Sequence, residues 1–184
     1  MTSTSAESPR ITYERDGTAL GCWRNVLIPV FLESPKEAVL LRATQDIRAL
    51  SLGGKRKVFW CAFFRATGTM PDAKGVDAIR AAFMALLRET SAHMQASANV
   101  IDGGGFVGAA LRAAGSGLIT VSRMPYPIKI FSAVSDATGY LAKQGAEGGG
   151  FEMALGRAVG EVVGRAENSQ AEMRHEERKH GRGY

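Results

Sequence analysis

Two short runs constrain this chain more than any other feature: Val26 to Leu32 (VLIPVFL) and Val58 to Phe64 (VFWCAFF) are almost continuously apolar. A strand with one wet face alternates polar and apolar residues. An uninterrupted apolar strand is covered on both faces, and helices are what usually cover it. Segments with helical spacing follow both runs. The alternation from Val26 onward predicts an α/β (α+β sandwich) fold with a central mixed β-sheet and about four helices packed on it. An N-terminal hairpin joins the sheet, and a helical extension follows at the C-terminus.

The signals along the chain divide it into parts. Residues 1–10 are polar and expected to be loose. The turn signal Arg15-Asp16-Gly17 separates two short extended runs, Ile11 to Glu14 and Thr18 to Asn25. Pro29 donates no ladder hydrogen bond, so its strand is expected at an edge or with a bulge. Ser34 and Pro35 read as the cap and first position of a helix that buries Ala38, Leu41, Ile47 and Leu50. A second helix, from about Asp72 to Ala92, presents Val76, Ile79, Phe83, Leu86 and Leu87 on one stripe. Short strands are expected at 96–101, 118–122 and 128–134, with a helix over 106–114. A last helix runs to Leu141, capped by Ser135 or Asp136. This α/β domain spans residues 11–143, so the core is expected nearer 140 residues than 184. Residues 144–150 read as a Gly-rich linker, and 151–184 as a C-terminal helix with a polar tail that frays beyond Glu167.

Composition narrows the class. Apolar residues make up 45% and charged residues 22% of 184 positions, which excludes a fully disordered chain, a collagen-like fibre and a coiled-coil rod. No stretch is long and apolar enough for a membrane span, and residues 1–10 lack the pattern of a secretory signal. Cys22 and Cys61 both sit in apolar surroundings and are expected to be buried free thiols of a cytoplasmic protein. The net charge is +5, and Leu20 to Lys143 alone holds 15 basic and 8 acidic residues. The cations are mostly scattered. The one dense cluster, Lys55-Arg56-Lys57, reads as a solvated turn guarding the strand after it, so nucleic acid is disfavoured as a partner.

The sharpest local motif is Asp102 followed by Gly103, Gly104, Gly105 and, after Phe106 and Val107, Gly108. This G-x-G-x-x-G lies between a strand and a helix, where backbone amides and a helix N-terminus can meet a phosphate. A dinucleotide site also expects an acidic residue roughly 20 positions on. This chain has Arg123 in that neighbourhood, so Asp102, Gly103, Gly104, Gly105, Gly108 and Arg123 form a candidate ligand or anion site. A tight structural turn, with Asp102 and Asp136 as helix caps, competes with it. His175 and His180 miss the H-E-x-x-H zinc spacing by one residue, which turns them about 140° apart on a helix. No metal site and no cofactor are expected. Nor are catalytic residues: the chain has no nucleophile elbow, although Arg65 and the hydroxyls of the loop after it suit an anion.

Taken together, these residues resemble the STAS-like (SpoIIAA-like) superfamily, in particular its uncharacterised bacterial members. The likeness covers about Ile11 to Lys143: the strand pair, Asn25 to Ile28, the helix opened by Ser34-Pro35, and VFWCAFF. Downstream it includes Ile101 to Phe106, Ala110-Leu111-Arg112, Ile128 to Phe131, Ala137 and Tyr140-Leu141. The resemblance implies a non-catalytic module that binds protein partners in signalling assemblies. The family's phosphoserine turn, D-S-[ST]-G, is replaced here by Arg65-Ala66-Thr67-Gly68, so no phosphoacceptor carries over.

The expected function is therefore a regulatory or scaffolding interaction module, cytoplasmic, with protein partners or a homodimer and no membrane. Phe151, Leu155, Val159 and Val162 form a stripe for packing on the domain, a second copy or a partner. The alternative is a nucleotide- or phosphometabolite-binding protein using residues 102–108.

Overall fold

A computed structural model of the chain describes residues 7–52, 56–65, 73–104, 108–109, 112–113, 116, 124–145 and 150–180. Six strands form one mixed sheet: β1 (Arg10–Arg15), β2 (Thr18–Trp23), β3 (Val26–Phe31), β4 (Val58–Arg65), β5 (Met94–Asp102) and β6 (Ile128–Phe131). They lie side by side in chain order. β1 to β3 pair antiparallel, and β3 to β6 pair parallel. Four α-helices with described bounds accompany them: α1 (Glu37–Leu52), α2 (Ala73–Thr90), α3 (Val134–Lys143) and α4 (Phe151–His180).

The apolar runs are explained by what covers them. In β4, Val58, Trp60 and Ala62 join one core with β2 and β3 residues, with Val39, Leu40, Ala43 and Ile47 of α1, and with Leu86 of α2. Phe59, Cys61 and Phe63 point the other way, into a second core with Ala137 and Leu141 of α3 and with α4. The sheet is the middle of three layers, and both its faces are dry along β2, β3 and most of β4.

The first turn, Asp16-Gly17, has φ of 49° and 72° between paired Arg15 and Thr18, the left-handed geometry that suits a two-residue hairpin. A bulge falls between Ile11 and Tyr13, leaving Thr12 outside the ladder. Its hydroxyl donates to the buried Asp46 carboxylate of α1 at 2.5 Å.

Several expectations are corrected. Pro29 is interior, since β3 lies between β2 and β4. The β3–β4 ladder pairs Val26, Leu27, Val30 and Phe31 and passes over Ile28 and Pro29, so the missing donor falls at a gap in the ladder. α1 starts at Glu37 rather than Pro35. Its buried face follows Val39, Leu40, Ala43 and Ile47, which leaves Ala38 exposed and Leu41 57% exposed. α3 starts after Ala133 with no side-chain cap, and Asp136 lies within its first turn. The 118–122 strand and part of the 106–114 helix lie outside the described residues, although Gly108, Ala109, Arg112 and Ala113 are helical. On α2, Phe83, Leu86 and Leu87 pack as expected, and the side chains of Val76 and Ile79 lie outside the description.

The largest correction concerns the C-terminus. α4 is not an appendage beyond a core of about 140 residues. Leu155 and Val162 are fully buried with Phe151, Ala158, Val159 and Ala166, and they roof the antiparallel half of the sheet. The helix does not fray after Glu167 but runs to His180. Tertiary contacts hold its second half: the Gly17 amide donates to Ser169 Oγ at 3.1 Å, and Gln170 Nε2 donates to Glu33 Oε1 at 2.7 Å.

Candidate functional site

In a sheet with parallel strands, the places for chemistry are its two ends, where loops leave the strands. At the carboxyl end, Arg65 closes β4 and its register partner Asp102 closes β5. Arg65 Nε stands 3.6 Å from Asp102 Oδ2, and its Nη1 stands 3.0 Å from Glu167 Oε1 of α4. One guanidinium therefore answers to two carboxylates. Asp102, at the end of β5, forms one half of this ion pair, and the residues after Gly104 that would begin a helix capped by it lie outside the described residues. Arg112 turns inward and donates from Nη1 to the carbonyls of Ile101 and Gly103, at 3.1 Å each.

The Gly-rich turn resolves into unequal parts. Gly103 has φ of 149°, within the range that favours glycine. A Cβ on Gly108 would stand 2.1 Å from the Gly103 carbonyl oxygen, so this glycine is needed for close packing. A Cβ on Gly104 would meet no described atom within 4 Å. Gly105 and Arg123 lie outside the described residues, so the structure brings together only Asp102, Gly103, Gly104 and Gly108 of the sequence-derived set. Strand order also matters. Among the described strands the sheet grows from β3 to β6 in one direction with no reversal, and it is a reversal that opens the usual ligand crevice in such sheets.

The proposed contact stripe lies elsewhere. Phe151, Leu155, Val159 and Val162 are all inside the core of their own chain, with Phe151 tilted against Trp23 at a centroid distance of 5.3 Å. They are unavailable to a second copy or a partner.

The amino end of the sheet carries a different set. Between β2 and β3, Arg24 adopts φ of 52°, and its guanidinium lies 4.5 Å from the centre of the Trp23 ring. Asn25 Nδ2 donates to the Lys57 carbonyl at 2.9 Å, and the Phe59 amide donates to the Asn25 carbonyl at 2.9 Å. The hairpin turn and the start of β4 are thus held together, with Arg24, Arg56 and Lys57 exposed. Sequence reasoning singled out Arg56 and Lys57 but missed Arg24, whose one local signal is the turn-forming Asn25 after it.

Both thiols are protected. Burial pushes Cys61 up to about 12, and burial with the nearby Asp46 charge pushes Cys22 up to about 11. Neither is a thiolate near neutrality. Among the described residues no group of three or more metal-ligating side chains occurs, and no helix is long and apolar enough to cross a membrane. His175 sits on the exposed end of α4. No family model, curated protein or solved structure matches the chain.

Proposed function

We propose that this protein is a non-catalytic, cytoplasmic interaction module of STAS-like type, acting by binding a protein partner in a bacterial regulatory or scaffolding assembly. The observation that carries this reading is the state of the carboxyl end, where Arg65 is spent on Asp102 and Glu167 and Arg112 on backbone carbonyls. Groups that would hold or polarise a substrate are engaged with one another. The protected thiols and the unreversed strand order support the same reading.

Affinity purification of the tagged protein from its own host, followed by reconstitution from separately purified components, tests it. A polypeptide that re-forms a complex of fixed stoichiometry is the expected result. Failure of every recovered protein to rebind overturns it.

A second reading, phosphate binding at turn 102–108, is favoured by Gly104, where a Cβ would meet no described atom. It predicts a raised melting temperature with a nucleotide or phosphometabolite present at many times its dissociation constant.

A further inference from the structure

We propose that the amino end of the sheet, at Arg24 and Lys57, is the docking site for an acidic, carboxylate-bearing segment of the partner. This names the chemistry of the partner and rests on the partner-binding reading above.

The backbone supplies the first reason. Arg24 occupies the left-handed region, with φ of 52°, where glycine and asparagine are the ordinary occupants. The two-residue hairpin between the paired Trp23 and Val26 calls for that backbone, and an arginine rather than a glycine fills it, which places a charged side chain at the turn. Its aim is fixed twice. The guanidinium is stacked on Trp23, and that ring is itself 2% exposed, with its Nε1 donating to the Glu7 carbonyl at 2.8 Å.

Stacking covers one face of a guanidinium and leaves its in-plane N–H donors free. Among the described residues, Arg24 makes no hydrogen bond or ion pair, and Lys57 Nζ likewise has no partner. The Asn25–Lys57 and Phe59–Asn25 bonds tie the turn that carries Arg24 to the start of the strand that follows Lys57. The contrast with the other end of the sheet is direct, for there Arg65 is paired with Asp102 and Glu167, and Arg174 with Glu33.

The kind of anion follows from the geometry. A planar donor fork whose face is fixed by stacking matches a carboxylate bidentately, and the exposed Lys57 adds a second cation at the same end of the sheet. A nucleic-acid strand would want a longer run of cations and an open aromatic face on which to stack bases. The Trp23 face is already covered by Arg24.

The test uses the full chain and two fluorescent probes, an oligoglutamate peptide and an oligothymidylate of equal length, followed by anisotropy at low and physiological salt. Oligoglutamate is expected to bind more tightly than oligothymidylate. Arg24→Gln and Lys57→Gln should each weaken it by about tenfold, roughly the value of one charge-assisted pair. Arg24→Lys should recover only part of the loss. Arg157→Gln, which removes an exposed cation on α4, should leave binding unchanged. Circular dichroism confirms that each variant is folded. Equal loss from Arg157→Gln, no loss from Arg24→Gln, or tighter binding of oligothymidylate overturns the proposal. If a reconstituted host partner binds Arg24→Gln as well as the native chain, this inference fails while the partner-binding reading stands. If oligoglutamate binds as described but no host protein rebinds, the carboxylate-binding chemistry at Arg24 and Lys57 stands and the partner-binding reading is overturned.

Discussion

Gly21 of β2 lies so close beneath Val162 of α4 that a Cβ on Gly21 would stand 2.4 Å from Val162 Cγ2. The C-terminal helix is thus fitted to the sheet at contact distance. Gly21→Ala should destabilise the fold by about 1–3 kcal/mol, the usual cost of forcing volume into a packed core. Val162→Ala makes room, so the double variant should lose less than the two single losses added together. Denaturant unfolding of the four proteins checks this; additive losses would contradict the contact.

The bulge in β1 makes a separate prediction. Thr12 Oγ1 donates to Asp46 Oδ2 at 2.5 Å, while Arg42 Nε stands 3.1 Å from Asp46 Oδ1, and the Asp46 side chain is 6% exposed. Thr12→Val takes one donor from a buried carboxylate and should cost about 1–3 kcal/mol. Thr12→Ser keeps the hydroxyl and should cost much less. Equal losses from both variants would mean that the methyl packing, not the hydrogen bond, matters.

The Gly-rich turn predicts opposite outcomes for neighbouring glycines. Gly108→Ala drives a Cβ toward the Gly103 carbonyl and should lower stability by roughly 1–3 kcal/mol. Gly104→Ala meets no described atom and should change stability little. Melting temperatures of the two variants decide the point.

Asp16 gives a pH dependence. The hydrogen bond from Lys36, 2.9 Å away, together with the Lys36 and Arg15 charges, holds its carboxyl below the ordinary value of 3.8. A group whose folded value is lowered stabilises the fold above its unfolded value, and that contribution is lost as pH falls through the folded value. Asp16→Asn should therefore reduce stability at neutral pH and flatten the acid limb of the stability profile below about pH 4. An unchanged acid limb would contradict the pairing.

The strand runs were legible because both faces of the sheet are dry along β3 and most of β4, so these strands lose polar alternation altogether. The mixed sheet and its N-terminal hairpin followed from those runs and from the Asp16-Gly17 turn. The role of α4 was not legible. Gly156, Gly160 and Gly164 weaken its helical signal, while the surface it covers belongs to β2 and β3, more than a hundred residues earlier. The sites divide in the same way. Asp102 and the glycines stand in one local motif and could be marked. The pairing of Arg65 with Glu167 spans 102 residues and the Thr12–Asp46 bond spans 34, and nothing local records either. Leu41 shows the limit of spacing arguments, since a shift in helix phase moved it from the expected core to the surface.

The most direct test of the central claim is the solution mass of the native assembly, measured by light scattering on protein recovered from its host and again after reconstitution. The claim predicts a discrete complex in which the 19.6 kDa chain is joined to another polypeptide. A lone 19.6 kDa chain whose melting temperature rises with a nucleotide would contradict it.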